Sequence, residues 1–431
     1  MALSAILGSL AVLSVVLLLW QWIAGLRFPL HRRNPEQTFS PAVTLLKPLK
    51  GCDASTEECL RSWFTQNYPG SVQILFGVAA DDDPVGEIVR KLIGEYPAAN
   101  ARLMVCGPLA GANAKVSKLL QLEQSAKHEI LVISDADVRV PGDLLENVVA
   151  AFQGHPVDGS PSALGVRDSS EYDLLSPALS SEGGEGEKPE EASGKLFSST
   201  AVPLPRRRVG LVNCFYSLAN PTTLAMQWEA IAINADFWTQ VLQAQSLKPL
   251  DFALGAVMVT TRQSLQKAGG FAALVNCLAD DYQLGNRIAR GGESIVLSTV
   301  PVECFSAAMG WRAVWKHQMR WARTIRVSQP APYFFSILSN AMLWPLLWLA
   351  MRPGLAPAIF GGAALVMRVV MAVTAQTRLS QRRTHLRYWW LTPVKDLLQV
   401  AIWAGAFLGN TIEWRGQRMK LRRDGQIKLE T

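Results

Sequence analysis

The sequence predicts an α/β domain with a mostly parallel sheet, tied to a membrane by helices at its N-terminal and C-terminal sides. Three observations carry this. From residue 42 onward, short apolar runs alternate with helix-length amphipathic segments. Long apolar stretches flank that part on both sides. Basic residues cluster beside those stretches, as they do at cytoplasmic membrane flanks. The 431 residues amount to nearly three domains at about 150 residues each. Lys and Arg number 42 against 35 Asp and Glu, a net charge of +7. Charged residues are 18%, below the roughly 25% of soluble domains, and apolar residues are 49%. This composition excludes a disordered chain, a collagen-like chain and a small disulfide scaffold.

The elements follow in order. Residues 2–26 carry no charge before Arg27 and, at about 1.5 Å per residue, are long enough to span a bilayer. A cleaved signal peptide needs a basic segment before its apolar run. Here Arg27, Arg32 and Arg33 come after it, which predicts an uncleaved anchor with a cytosolic C-terminal side. Residues 43–46, 72–78, 102–105 and 130–133 read as buried strands, with helices over 87–96 and 113–126 between them. Residues 157–206 are rich in Ser, Gly, Glu and Pro and read as a disordered acidic insertion. A strand resumes at 209–216. Apolar stretches at 332–351, 355–375 and 389–410 close the chain. The third contains Lys395 and Asp396, which are costly in lipid, so it is expected to be re-entrant or interfacial. The basic residues from Arg415 onward then form a cytosolic tail. The expected organisation is an anchor over 1–26, a nucleotide half over 27–156, the insertion over 157–206, an acceptor half over 207–330, and membrane segments plus tail over 331–431.

The six cysteines are scattered, with no CxxC or Cys/His cluster. That argues against a zinc site and for reduced thiols. The placement of the positive charge argues for a bilayer and against nucleic acid.

Four acidic or basic motifs could carry chemistry. Asp135 and Asp137 follow the apolar run 130–133. In an extended chain, residues two apart share a side, so two carboxylates could face a ligand at the strand's C-terminal end. Such a pair suits Mg²⁺ or Mn²⁺ shared with substrate phosphates, although a solvated turn has the same appearance. Asp81, Asp82 and Asp83 follow the run 72–78; they could bind a ribose or base, or form a polar turn before Pro84. Asp280 and Asp281 stand at a loop-to-helix entry, where acids cap helices but could also supply a general base. His317, Arg320 and Trp321, followed by Arg323 and Arg326, combine diphosphate-pairing guanidinium groups with a flat apolar face. A basic amphipathic helix lying on a membrane reads the same way. No ATPase P-loop, HExxH or GxSxG motif is present.

In this order, the pieces resemble the ceramide glucosyltransferase family, membrane-bound inverting GT-A glycosyltransferases. The resemblance starts at Leu45-Leu46-Lys47-Pro48-Leu49-Lys50-Gly51 and Asp53. It continues through Asn67-Tyr68-Pro69, Asp82-Asp83-Pro84, Asn113 and Lys115, Asp135 with Val138-Arg139-Val140, and Ala268-Gly269-Gly270. It then takes in Asp280-Asp281-Tyr282, Arg320-Trp321 and Trp414-Arg415-Gly416. The resemblance implies a GT-A domain that uses a UDP-sugar, UDP-glucose favoured, Mg²⁺ or Mn²⁺, and a ceramide-type membrane lipid as acceptor. It implies that Asp83 and Lys115 contact the nucleotide sugar, that Asp135 and Asp137 hold the metal and diphosphate, and that Asp281 is the catalytic base. Arg320 and Trp321 would close the site. Three features depart from the family pattern: His317 at the first position of (Q/R)xxRW, Asp280 in place of Glu, and the insertion. His317 and the run Arg320–Arg326 look closer to a bacterial branch that acts on hopanoids, which would use UDP-N-acetylglucosamine and place the protein in a bacterial inner membrane. An inactive scaffold that keeps the fold, and a lipid-phosphate nucleotidyltransferase, are the readings from other classes.

Overall fold

The computed structural model describes residues 2–33, 38–153, 207–414, 417–422 and 424–429. The insertion expected at 157–206 lies outside them. Eight strands form one sheet: β1 (Val43–Pro48), β2 (Val72–Val78), β3 (Asn100–Val105), β4 (Ile130–Ser134), β5 (Val138–Arg139), β6 (Val209–Leu218), β7 (Val257–Thr261) and β8 (Ser294–Cys304). Their order is β3-β2-β1-β4-β7-β6-β8-β5. The pairs β1–β2, β2–β3, β1–β4 and β6–β8 are parallel. Strand β7 runs antiparallel to both its neighbours, and β5 runs antiparallel to β8 at the edge. This is the mostly parallel sheet that the sequence predicts, with two antiparallel strands, β7 and β5.

Alternation along the strands separates two cores. On β4, Leu131 and Ile133 enter one cluster, while Ile130 and Val132 enter the other. The second cluster is closed by Trp63, Val89 and Leu92 from the helices Thr56–Phe64 and Val85–Glu95. The first cluster extends through Trp238 to Ala372, Ala375 and Leu379 on the long apolar helix Leu355–Ser380. One face of the sheet therefore continues into the membrane part.

Among the described residues, two helices are long and apolar enough to cross a membrane, Ala2–Arg27 and Leu355–Ser380. Leu3, Ile6, Val12 and Val16 on the first, and Leu355, Ile359 and Val366 on the second, are exposed, as lipid-facing side chains are. The two helices are pinned together. Trp22 Nε1 donates to Thr374 Oγ1 at 3.0 Å. Arg378 donates to the Gly25, Leu26 and Phe28 carbonyls at 3.1, 2.9 and 2.7 Å, which satisfies the open end of the first helix.

The stretch 332–351 departs from the expected continuous apolar segment. It breaks into Pro330–Phe335, a 3₁₀ turn Ser336–Ser339, and Leu343–Met351, with a bend of 55°. Asn340 Oδ1 accepts from the Met342 and Leu343 amides at the break and caps the second piece. The stretch 389–410 forms only the helix Leu391–Ala406. Its two charges are satisfied inside the protein. Asp396 pairs with Arg368 at 2.7 Å, and Asp236 pairs with Arg368 at 2.9 Å and also with Lys395. All four residues are buried. Asp236 lies in the π-helical turn Ala232–Phe237, so this network joins that π-turn to two membrane-side helices.

The basic tail is not a plain extension. Strands β9 (Thr411–Trp414), β10 (Gln417–Leu421) and β11 (Ile427–Leu429) form a separate antiparallel sheet packed on the catalytic domain.

Candidate active site

Parallel strands β1 and β4 end side by side, with Leu46 opposite Ile133. Ligands of open α/β sheets bind beyond such ends. The first residue past β4 is Asp135, whose amide donates to the Ala256 carbonyl at 3.2 Å. Asp135 and Asp137 are not in an extended strand as expected. The chain turns between β4 and β5, and both acids lie in that turn.

Lys47 fixes the turn from beneath. It is fully buried in β1, sits 5.4 Å from the Trp63 ring centroid, and donates to Ser134 Oγ at 3.1 Å and to the Asp135 carbonyl. Burial pulls its ammonium down to about 8.

Lys115 is the hinge of the site. Asn113 caps the helix Ala114–Gln124 by accepting from the Lys115 and Val116 amides at 3.0 and 3.2 Å. The Lys115 ammonium then bridges Asp135 Oδ1 at 2.7 Å and Asp280 Oδ2 at 3.1 Å. Burial opposes its charge, but the Asp135, Asp280 and Asp281 carboxylates outweigh burial and hold it above the ordinary lysine range. Asn113 Nδ2 also donates to the Cys277 carbonyl at 2.8 Å, which fixes the approach to the next acid pair.

That pair opens the helix Asp280–Arg290. Asp281 Oδ1 accepts from the Tyr282 amide at 2.8 Å. Burial first, and then the Asp280 carboxylate, push Asp281 up to about 6. Its other oxygen lies against Gly255: a Cβ there would stand 2.7 Å from Asp281 Oδ2. Any larger residue at 255 displaces the carboxylate.

Asp83 sits just past β2. Its Oδ1 accepts from the Gly51 amide at 2.9 Å and the Val85 amide at 3.2 Å, tying the loop after β1 to the next helix. Gly51 has φ +64°, which favours glycine.

Arg320 and Trp321 lie on the helix Trp311–Ser328. A path of aromatic rings starts at Trp321. Trp321 is 6.0 Å from Phe237, and Phe237 is 5.6 Å from Tyr216. Tyr216 feels the Asp281, Asp135 and Asp137 charges; burial first, then Cys304 and those carboxylates, raise its phenol well above the usual range. On the same helix, His317 Nδ1 faces Glu229 Oε1 at 2.6 Å, and Gln318 Nε2 donates to the same oxygen at 2.9 Å. Glu229 is wholly buried, and its Oε2 has no hydrogen-bond partner.

The structure thus brings Lys115, Asp135, Asp280 and Asp281 together, with Asp137 on the same turn as Asp135. Asp83 lies past the neighbouring strand β2, and Trp321, with Arg320 just before it on the same helix, stacks through Phe237 towards Tyr216. Lys47 and Glu229 were not anticipated as site residues. Their signal was a single charge inside an otherwise apolar strand or helix. Among the described residues, no three His, Cys, Asp or Glu side chains form a ready metal cage. Two carboxylates on one turn nevertheless suit a hard divalent cation that takes its remaining oxygens from a diphosphate.

The chain matches the family described as Glycosyl transferase family 21 over residues 6–159 and 195–427. The ceramide glucosyltransferase of Candida albicans is 34% identical over 139 residues, which is 29% of this chain and 26% of that protein. Ceramide glucosyltransferase 1 of Caenorhabditis elegans is 22% identical over 404 residues, covering 92% of this chain and 75% of that one. Among solved structures, a mannosyltransferase from Pyrobaculum calidifontis in complex with GDP-Man and Mn²⁺ has a TM-score of 0.46 at 19% identity, covering 92% of this chain and 99% of that one.

Proposed function

Because this chain belongs to glycosyl transferase family 21, we propose that it moves a sugar from a UDP-sugar, UDP-glucose favoured, to the hydroxyl of a ceramide-type membrane lipid, with inversion at the anomeric carbon. The observation that carries this reading is the Lys115 ammonium bridged between Asp135 and Asp280, with Asp281 beside it at the end of the parallel strands. The cluster sets a cation for a diphosphate beside a part-buried carboxylate for a proton.

Asp281 is the general base. It takes the proton of the lipid hydroxyl as that oxygen forms its bond to the anomeric carbon, and the bond from that carbon to the UDP oxygen breaks. A single displacement of this kind inverts the centre. Lys115 and Arg320 meet the negative charge that grows on the departing UDP. Asp83 holds the nucleoside side through the loop it fastens. Asp135 and Asp137 would hold Mg²⁺ or Mn²⁺, which supplies charge neutralisation at the diphosphate when bound. Trp321, Phe237 and Tyr216 offer an apolar wall to the acceptor. The two apolar helices keep this wall at the bilayer, where a lipid reaches it by lateral diffusion. The flanking basic clusters support a cytosolic catalytic domain; a bacterial inner membrane belongs to the hopanoid alternative.

The test is mass spectrometry of lipid extracted after incubating purified, detergent-solubilised protein with Mg²⁺ or Mn²⁺, UDP-glucose or UDP-N-acetylglucosamine, and ceramide or a polyhydroxylated hopanoid. Hexosylated ceramide is the expected product. A glycosylated hopanoid moves the acceptor to the bacterial branch. No sugar transferred to either lipid, together with pyrophosphate release when a nucleoside triphosphate and a lipid phosphate are supplied instead, rejects the reading.

A further inference from the structure

The C-terminal sheet touches three of the segments that carry the site. Its buried side chains Ile412, Met419, Leu421 and Ile427 pack against Ala112, Leu278 and Val327. Ala112 immediately precedes the Asn113 cap of the Lys115 helix. Leu278 lies just before Asp280. Val327 is on the Arg320–Trp321 helix.

Hydrogen bonds follow the same route. The Ile427 amide donates to the Asn276 carbonyl at 2.8 Å, and the Leu278 amide donates to the Gly425 carbonyl at 3.3 Å. Asn276 Oδ1 in turn accepts from the Ala112 amide at 3.0 Å, and the Asn113 amide donates to the Val275 carbonyl at 2.7 Å. One chain of backbone contacts thus runs from β11 through the 275–278 loop to the Lys115 helix. On the other side, Glu413 pairs with Lys316 at 2.6 Å, the Thr411 carbonyl accepts from Arg323, and Asn410 accepts from Arg326. Gly425 has φ +80°, and a Cβ there would stand 2.8 Å from the Gln283 amide nitrogen on the Asp281 helix.

We propose that this three-stranded sheet is a positioning element for sugar transfer, with Gly425 and Ile427 setting Asp281 against Lys115 and the Arg320–Trp321 helix. The inference rests on the transferase reading above. A merely protective cover has no need to reach three separate site-bearing segments. Misplacing a reacting group by about 1 Å costs on the order of 10²-fold in rate.

The experiment uses the full chain in detergent with Gly425→Val, Ile427→Asp, the conservative Ile427→Val, and Lys428→Gln on the exposed side of β11. Three quantities are read: turnover with donor KM, metal-dependent UDP binding, and amide hydrogen exchange of the segment 276–284. Gly425→Val and Ile427→Asp are expected to lower kcat by about 10²-fold, to leave donor KM and UDP binding nearly unchanged, and to speed exchange in 276–284. Ile427→Val and Lys428→Gln should keep wild-type kcat. Unchanged kcat in the first two variants overturns the proposal. So does UDP binding that falls in step with kcat, because the sheet would then be a general support. If the wild-type protein transfers no sugar, the transferase reading fails on its own. The exchange arm still decides the sheet: unchanged exchange shows that it does not hold the loop, and faster exchange shows that it does.

Discussion

Asp281 sits where a carboxylate is costly to ionise, against Gly255 and beside Asp280. A base raised to about 6 is still deprotonated near neutrality and is a better proton acceptor than an ordinary aspartate. Asp281→Asn should lower turnover by about 10²–10⁴-fold while leaving UDP binding nearly intact. Survival of turnover within a few-fold removes Asp281 from the base role. The pH dependence has a definite sign. The base works only when deprotonated, so kcat/KM should fall as pH drops through about 6, and Asp281→Asn should abolish that limb. An acid limb near 4 contradicts the environment described. Most of this site was legible in the sequence because its acids directly follow apolar runs, where strand ends place ligands. Lys47 and Glu229 were not. Their roles depend on Asp135 and His317, each 88 residues away, and no local pattern records that.

At the scale of elements, the buried network of Asp236, Arg368, Lys395 and Asp396 decides how the helix Leu391–Ala406 is held. Its charges stood out in the sequence, but their partners did not, because Arg368 and Asp236 come from two other elements. The expectation of a re-entrant or interfacial segment rested on the cost of Lys395 and Asp396 in lipid; the protein itself supplies partners for both. Removing one member of a buried ion pair leaves an uncompensated charge, at about 3–5 kcal/mol. Arg368→Met should therefore lower the thermal midpoint in detergent markedly, and adding Asp396→Asn should recover part of the loss. A midpoint equal to wild type would show that the network does not support the bundle. The strands were the most legible elements, since continuous apolar runs mark buried parallel strands. The break near Asn340 was hidden: composition reports hydrophobicity, whereas the bend depends on one side chain capping a backbone turn.

For the whole molecule, sidedness is the open quantity. Cys52 follows β1 and is exposed, whereas Cys59, Cys106, Cys214 and Cys277 are buried and Cys304 is partly so. A membrane-impermeant maleimide should therefore label Cys52 in inside-out vesicles and not in intact cells. The opposite pattern reverses the orientation inferred from the basic clusters. The Arg378 clamp also bears on biosynthesis. It joins groups 353 residues apart in the chain. At about 5–20 residues per second, a ribosome takes roughly 20–70 seconds to deliver Arg378 after Gly25. Until the end of that interval the Trp22 side chain of the first helix has only lipid, or an insertion factor, where Thr374 later packs. A nascent chain arrested before Arg378 emerges should therefore leave Trp22 open to photocrosslinking from its surroundings, and completed synthesis should close it.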